Sequence, residues 1–317
     1  MIQMIEIKNV SMGFEDSKKG SGTVALNEVR LTVPEGCIFG FLGSNGAGKS
    51  TLMRLMSGIY RPWSGDILID GEPVFDNPAA KEKLFFVNDE TTQFSGYTPE
   101  DLKFFYKGAY AGFSDTVFER IMKSLELPLD KRLSTFSKGM KRQTVVALAL
   151  AAQTKYLFFD EAFDGLDPAM RRIVKNLITD EIIERGATLV VSSHNITEIS
   201  ELCDRAMLLH KGELIFSDEL DNLRTGFTKV QLVIRDSSLS DEGLKQQIAA
   251  LGLELMQMSV VGSVRQLIIR AGENETLEKL SQLPTSMIET IPLTLEEIFI
   301  YELEVRGYGS TDFITED

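Results

Sequence analysis

The segment Gly43–Ser50, with the letters G-S-N-G-A-G-K-S, limits the possible folds of this chain more than any other feature. It matches the pattern G-x-x-x-x-G-K-[ST], a glycine-rich loop that wraps phosphate groups where it joins a strand to a helix. The apolar stretch Cys37–Leu42 before it predicts that strand, and a helix is predicted from near Lys49. The motif therefore predicts an α/β fold of the P-loop class with a largely parallel sheet.

The residue types in this loop indicate how a nucleoside triphosphate would be held. Glycines let backbone N–H groups turn toward the β-phosphate, and the start of the following helix adds positive potential. Lys49 supplies a charge for the β- and γ-phosphates, and Ser50 offers a hydroxyl to Mg²⁺. The residues predicted to bind the nucleotide are Gly43, Ser44, Asn45, Gly46, Ala47, Gly48, Lys49, Ser50 and Thr51. The loop alone does not distinguish among kinases, GTPases and motor ATPases.

Short apolar runs and longer amphipathic stretches alternate from residue 1 to about residue 217, which is typical of a parallel sheet with helices. Tyr156–Phe159 and Thr188–Val191 are apolar on both faces, as central parallel strands are. A mainly helical stretch, Pro99–Ala152, lies between the predicted strands. The first domain, residues 1–217, is thus predicted to be a P-loop NTPase sheet core with a helical lobe.

A second domain is predicted over residues 228–317. The polar segment Ser217–Thr228 is predicted to be a linker. The stretches after it follow the order strand, helix, strand, strand, helix, which predicts a small ferredoxin-like α+β domain. A last helix is predicted from Thr294, because Thr294 and Glu297 have the spacing of a capping box ahead of an apolar face.

Composition and charge exclude several classes of protein. Apolar residues make up 43% of the chain and charged residues 25%, the balance of a folded globular protein. The net charge of −14 would repel nucleic acid phosphates, so no nucleic acid partner is expected. No window reaches the run of roughly 18 apolar residues that a membrane helix needs, and the start of the chain lacks the basic and apolar blocks of a signal peptide. A cytoplasmic protein is therefore expected.

Two carboxylates follow the apolar run Tyr156–Phe159. Asp160 could hold Mg²⁺, and Glu161 could polarise an attacking water as a general base. An acidic loop after a core strand would be the simpler interpretation in a chain without a phosphate-binding loop. Because this chain has that loop, Asp160 is predicted to be a metal residue and Glu161 a catalytic residue.

The segment Phe136–Gln143, F-S-K-G-M-K-R-Q, resembles the signature segment of the ABC ATPase family, usually written L-S-G-G-Q. In that family the serine and a glycine lie at a helix N-terminus and bind the γ-phosphate held by the other subunit. Ser137 and Gly139 match the pattern. The residues that depart from it are Phe136, Lys138 and Met140. The resemblance implies that a second copy of the chain completes each ATP site.

The order of the motifs is also that of one cassette of the ABC ATPase family. Gly165–Pro168 resembles the family's D-loop, which implies that Asp167 communicates between the two ATP sites. Val190–His194 ends an apolar strand as the family's switch histidine does, which implies that His194 contacts the γ-phosphate. The catalytic residues implied are Lys49, Glu161 and His194.

Two more site residues rest on alignment with this family. Phe14 falls where the family has an aromatic ring that stacks on adenine. The loop after the predicted strand Leu84–Val87 usually carries a glutamine that contacts the metal, but here it contains Asn88-Asp89-Glu90, and Asp89 aligns with that glutamine. A carboxylate there would bring extra negative charge to Mg²⁺ and slow hydrolysis. The metal residues implied are Ser50, Asp89 and Asp160.

The segment Pro292–Phe299 resembles the ending of ATPase subunits from bacterial ABC-2-type exporters. This resemblance implies an ATP-hydrolysing exporter subunit that uses ATP and Mg²⁺, forms a homodimer and drives a separate transmembrane permease from the inner face of the cell membrane. One alternative is a soluble ABC ATPase acting on nucleic acid or ribosomes, which the single cassette and the acidity disfavour. Another is a non-transport regulatory ABC protein, which the intact Lys49, Asp160, Glu161 and His194 disfavour.

Overall fold

Two units, residues 1–217 and 218–317, divide the chain, and each has an apolar core of its own. The structure, a computed structural model, describes residues 4–16, 21–88, 94–235 and 239–305. In those residues, no helix combines the length and the apolar character needed to cross a membrane.

A six-stranded sheet forms the centre of the first unit. Its strands, in the order in which they lie side by side, are β10 Glu213–Glu219, β9 Arg205–His210, β3 Ile38–Leu42, β8 Thr188–Ser193, β7 Tyr156–Asp160 and β6 Leu84–Val87. The five strands from β9 to β6 pair in parallel. Every residue of β3, β7 and β8 is buried, as expected in the middle of a parallel sheet. The α/β class and the three central strands predicted from the sequence are confirmed.

An antiparallel sheet packs into the same core. Its strands in spatial order are β2 Ser21–Pro34, β1 Met4–Asp16, β4 Ser64–Ile69 and β5 Glu72–Pro73. Asp70, just after β4, accepts hydrogen bonds from the Tyr156 hydroxyl at 2.6 Å and from Lys155 Nζ at 2.9 Å. Lys83 directly precedes β6, and its Nζ donates to the same carboxylate at 3.1 Å. This shared carboxylate fixes the antiparallel sheet against the strands that lead to the candidate site.

The helices of the first unit cover the sheet and build the lobe. They are α1 Lys49–Met56, α2 Pro78–Lys81, α3 Pro99–Ala109, α4 Asp115–Ser124, α5 Lys138–Ala151, α6 Pro168–Arg185 and α7 Ile196–Leu202. Helices α3, α4 and α5 occupy the stretch predicted to be helical. Thr98 and Asp101 form a capping box at the start of α3, and α4 buries Phe118 and Ile121 on one face.

The parallel strands bring the predicted functional segments to one edge of the sheet. The glycine-rich loop follows β3, Asp160 ends β7, and His194 follows β8. These three strands are neighbours, with Leu42 opposite Ser193 and Asp160 opposite Ser192. Ligands of open α/β sheets bind outside the carboxyl ends of such strands, so this edge is where the candidate site lies.

The segment Ser217–Thr228 is not the linker that the sequence predicted. Strand β10 continues to Glu219, and helix α8, Leu220–Thr225, follows it at once. The polar composition was misleading because Leu220 and Leu223, three residues apart, are both buried on one face of this helix. Helix α8 contacts the last helix of the second unit, α11 Leu295–Val305.

The second unit has the ferredoxin-like order of elements. They are β11 Thr228–Ile234, α9 Asp241–Ala250, β12 Leu255–Val261, β13 Val264–Ile269, α10 Glu273–Leu280 and β14 Thr285–Ile291, followed by α11. The strands lie in the order β12, β13, β11, β14 and pair antiparallel. The capping box of α11 is confirmed, because Thr294 Oγ1 accepts from the Glu297 N–H at 3.2 Å and Glu297 Oε2 accepts from the Thr294 N–H at 3.0 Å.

Candidate nucleotide site

The loop Gly43–Gly48 turns the chain from β3 into α1. Gly48 has a φ of 108°, and a Cβ atom there would lie 2.6 Å from the Ala25 carbonyl oxygen, so a larger residue would not fit. Gly48 is also the N-cap of α1, with no side chain capping the helix. The N–H groups of Lys49, Ser50 and Thr51 therefore lack partners within the helix and form an anion-binding end. Around them, Ala47 and Gly43 are buried, whereas the exposed residues are Ser44, Asn45 and Gly46.

Lys49 is almost wholly buried beneath this loop, with 4% of its surface exposed. Its Nζ donates to the carbonyl oxygens of Gly43 at 2.6 Å and Ser44 at 3.1 Å, and lies 4.0 Å from Glu161 Oε1. Burial lowers the pKa of the Lys49 ammonium, and neighbouring carboxylates, Glu161 foremost, oppose that shift. The loop carbonyls thus hold the Lys49 ammonium directly beneath the glycine-rich loop.

Asp160 is the fully buried carboxylate at the centre of the site. Its Oδ1 accepts hydrogen bonds from Ser50 Oγ at 3.0 Å and Ser192 Oγ at 2.6 Å. Its Oδ2 is buried and has no hydrogen-bond partner in the part of the chain that the structure describes. A buried carboxylate oxygen of this kind favours a cation. Carboxylate and hydroxyl oxygens are ligands that Mg²⁺ accepts, so Ser50 and Asp160 suit that ion.

Glu161 follows Asp160 in a left-handed backbone conformation, with φ of 47°. Its N–H donates to Ser192 Oγ at 3.0 Å, so one hydroxyl connects the two consecutive acidic residues. Its Oε1 lies 3.8 Å from His194 Nδ1 as well as near Lys49. Burial raises the pKa of the Glu161 carboxyl, and Asp164 raises it further, while Lys49 and His194 act in the opposite direction. A raised pKa suits a group that accepts a proton during the reaction.

His194 and Asp164 complete this group of side chains. His194 lies just beyond β8 with half of its side chain exposed. Glu161, Asp164 and His194 each place one polar side-chain atom within 4.8 Å of the others. The structure therefore brings together five of the predicted site residues, Lys49, Ser50, Asp160, Glu161 and His194.

Ser137, Gly139 and Asp167 form a second group, around the turn at Gly165. Ser137 is the N-cap of α5, and its Oγ accepts a hydrogen bond from the Met140 N–H at 3.1 Å. A Cβ atom on Gly139 would lie 3.1 Å from the Gly165 carbonyl oxygen, so the two segments are closely packed. Asp167 caps α6 by accepting from the first-turn N–H groups at 3.1 and 3.0 Å. The predicted signature and D-loop segments are thus neighbours within one chain.

Two predicted site residues, Phe14 and Asp89, are not among the members of these groups. Phe14, on β1, is 44% exposed and makes an edge-to-face contact with Tyr60 at 5.9 Å between ring centroids. Such a ring offers an open face to a base. Asp89 lies outside the described residues. The residue before it, Asn88, accepts a 2.5 Å hydrogen bond on its carbonyl oxygen from Arg142 Nη1 of α5.

Sequence reasoning missed two residues of the site. Ser192 bonds both acidic residues, but its position beside Asp160 follows from the pairing of β7 and β8, which no motif encodes. Asp164 follows Glu161 by three residues, and that spacing was the available signal for it. Its carboxylate adds negative charge next to the predicted base.

Comparison with known proteins supports the resemblance to the ABC ATPase family. The family model described as "ABC transporter" matches residues 26–164. The ABC transporter ATP-binding protein YtrB of Bacillus subtilis (strain 168) is 29% identical over 297 residues, which cover 94% of this chain and 97% of YtrB. The methionine import ATP-binding protein MetN of Protochlamydia amoebophila (strain UWE25) is 34% identical over 230 residues, which cover 68% of this chain and 67% of MetN.

A solved structure shows the same fold. The dimeric ATP-binding cassette MJ0796, in a post-hydrolysis state bound to ADP and Pi, superposes with a TM-score of 0.62 at 22% identity, over 68% of this chain and 98% of that one. The sequence matches extend from the phosphate-binding loop through Asp160 and Glu161, and the fold match includes the sheet that carries them. On these grounds the chain belongs to the ABC transporter family, in which it is an ATP-binding ATPase.

Proposed function

We propose that two copies of this chain close on ATP, hydrolyse it with the residues at the carboxyl edge of the sheet, and thereby drive a separate membrane permease. The observation that carries the proposal is the buried Asp160 Oδ2, which has no hydrogen-bond partner among the described residues. The other oxygen of this carboxylate accepts from Ser50, and the next residue, Glu161, lies 4.0 Å from the buried Lys49 Nζ. A cation and a phosphate chain would satisfy these groups together.

Within one chain, the proposed roles follow from the contacts. Lys49 and the first-turn N–H groups of α1 would bind the phosphates, while Ser50 and Asp160 would hold Mg²⁺. When bound, Mg²⁺ would neutralise part of the negative charge of the phosphates. Glu161 would take the proton from the attacking water, with His194 beside it to contact the γ-phosphate. Phe14 would stack on adenine, supported by its exposed ring.

The second group would act on the ATP held by the partner. Ser137 and Gly139 lie at the N-terminus of α5, where hydroxyl and N–H groups suit a γ-phosphate. Gly139 packs against Gly165, two residues before Asp167 in the chain. A homodimer would join one group of each kind at each of two ATP sites. The dimeric MJ0796 cassette supports this arrangement.

The permease would dock on the helical lobe. Phe104 and Phe105 on α3 are 83% and 60% exposed, which is unusual for such large apolar side chains. Adjacent exposed aromatics of this kind mark contact sites for other proteins. Docking there would hold the ATPase at the inner face of the membrane.

We propose export as the direction of transport, supported by the resemblance of Pro292–Phe299 to exporter subunits, although MetN is named for import.

We also propose that the second unit is an accessory domain that begins at Asp218 rather than at residue 228. Helix α8 contacts α11, and Phe227 lies 6.1 Å from Tyr301 between ring centroids. Both contacts tie the segment that was predicted as a linker to the second unit.

Replacing Glu161 with Gln tests the proposed mechanism. The amide keeps the shape of the side chain but cannot accept the proton, so turnover should fall at least about 100-fold, within the range of general-base contributions. ATP should then hold the variant as a stable dimer in size-exclusion chromatography. Lys49→Ala is the control, since it should bind ATP poorly and stay monomeric. A Glu161→Gln protein that hydrolyses ATP at the wild-type rate would rule out the base assignment.

Asp164→Asn should move the pH dependence of hydrolysis. Glu161 must be deprotonated to act, and its raised pKa sets the acid limb of the profile of kcat/KM. Removing the Asp164 charge lowers that pKa, so the acid limb should shift toward lower pH. Asp130→Asn, an exposed carboxylate of the helical lobe, serves as the control. Identical acid limbs in wild type and Asp164→Asn would contradict the electrostatic account of Glu161.

Changing both Phe104 and Phe105 to Ser tests the docking surface. ATP hydrolysis by the purified protein should be unaffected, because both side chains are exposed on the lobe. The fraction of protein that sediments with membranes carrying the permease should fall. Ile183→Ser removes a comparably exposed apolar side chain, 73% exposed on α6, and should sediment as wild type does. Equal membrane-bound fractions for all three proteins would exclude this surface.

A further inference from the structure

Arg171 links the turn before Asp167 to helix α7. It lies in the first turn of α6, where its N–H donates to the Asp167 carbonyl oxygen at 2.8 Å. Its Nη2 donates to the Leu166 carbonyl oxygen at 3.5 Å, and its Nη1 lies 2.8 Å from Glu198 Oε1. One guanidinium therefore contacts the segment that carries Asp167 and a carboxylate on the neighbouring helix.

Glu198 is in turn hydrogen-bonded to both sequence neighbours of His194, which are Ser193 and Asn195. The Glu198 residue is 6% exposed, and its second oxygen, Oε2, accepts from Ser193 Oγ at 2.7 Å. Ser193 Oγ in turn accepts from the Asn195 N–H at 2.9 Å. Asn195 Oδ1 caps α7 and accepts from the Glu198 N–H at 3.3 Å. The residues on either side of His194 are thus bonded into a network that contains Glu198.

Burial gives this network its stiffness. A carboxylate with so little exposure must keep its partners, because losing either one leaves a buried charge without compensation. Glu198 uses one oxygen for Arg171 and the other for Ser193, so both contacts define its position. A shift of the first turn of α6 cannot occur without moving Glu198 or breaking an ion pair. Buried networks of this kind can transmit such a shift.

We propose that the Arg171–Glu198 ion pair is a positioning link between His194 and the turn that carries Asp167. When that turn moves, the ion pair changes the alignment of His194 for hydrolysis. The inference rests on the roles proposed above for Asp167 and His194. Through this link, a partner subunit that contacts Asp167 in the closed dimer adjusts the histidine of the opposite site. Arg171 and Glu198 act through their neighbours and are positioning residues rather than catalytic ones.

A second ion pair between the same two helices supplies a matched control. Lys175 Nζ of α6 lies 2.9 Å from Glu201 Oε2 of α7, one turn away from Arg171 and Glu198. Lys175 also stacks over the Phe163 ring at 5.6 Å. Breaking this pair weakens the packing of α6 on α7 but leaves the contact between Glu198 and Ser193 in place.

The experiment compares Glu198→Gln with Glu201→Gln in the full-length protein. In Glu198→Gln the new amide oxygen can still accept from Ser193, so the change removes chiefly the ion pair. We expect kcat to fall about tenfold, within the range that coupling residues show, while the KM for ATP stays within about twofold. In a Glu161→Gln background, ATP should still trap the dimer. Glu201→Gln should keep the wild-type kcat.

Further variants separate positioning from folding. Arg171→Lys keeps a charge for Glu198 but cannot also reach the Leu166 carbonyl, so kcat should fall in a protein whose melting temperature stays near that of wild type. Arg171→Met combined with Glu198→Gln should be no slower than either single variant, because both remove the same link. If Glu198→Gln proves unstable, Arg171→Lys decides the question. An unchanged kcat in Arg171→Lys then overturns the proposal.

His194→Ala distinguishes failure of the link from failure of the proposed function. If His194→Ala loses turnover and Glu198→Gln retains it, the link is wrong and the role of His194 stands. If His194→Ala retains turnover, the role of His194 and the link both fail. An equal fall of kcat in Glu198→Gln and Glu201→Gln would also overturn the link, because both pairs would then only hold the helices together.

Discussion

The rest of the site depends on the buried carboxylate of Asp160. It ends a fully buried strand and accepts hydrogen bonds from Ser50, at the start of the phosphate-binding helix, and from Ser192, on the neighbouring strand. Ser192 also accepts from the Glu161 N–H, so the position of the predicted base follows from that of the metal residue. A charge buried this deeply is costly unless a cation offsets it, which is why we propose that the residues around Asp160 bind Mg²⁺ and phosphate.

The parallel sheet accounts for the meeting of segments that are far apart in sequence. Three adjacent strands end at one edge, each followed by a functional segment. The antiparallel sheet is fixed against this core through Asp70. The signature helix starts beside Gly165, where Gly139 packs closely against the turn before Asp167. We propose that the Lys49 group and the signature group are two half-sites that a second copy of the chain completes, and the Arg171–Glu198 pair links the turn that carries Asp167 to the neighbours of His194.

Much of this architecture could be predicted because motifs and apolar runs carry their own signal. The central strands and the residues Lys49 and Asp160 were predicted from local pattern, and His194 was predicted from the resemblance to the ABC ATPase family. Ser192 could not be identified in the same way, since its partner lies on another strand and register is a property of the fold. The last strand of the ferredoxin-like order, β14, T-S-M-I-E-T-I, was implied by that fold but could not be given bounds, because polar residues interrupt its apolar pattern. Helix α8 was missed because it buries only two leucines in a polar segment.

The most direct test of the two-half-site account mixes two inactive variants. Lys49→Ala disables the phosphate-binding half-site and Ser137→Ala the signature half-site, so each homodimer has both ATP sites damaged. A mixed dimer regains one site with Lys49 from one subunit and Ser137 from the other. The account predicts that mixing the purified proteins restores a measurable ATPase rate that neither shows alone. A mixture as inactive as its components would contradict the sharing of each site between two subunits.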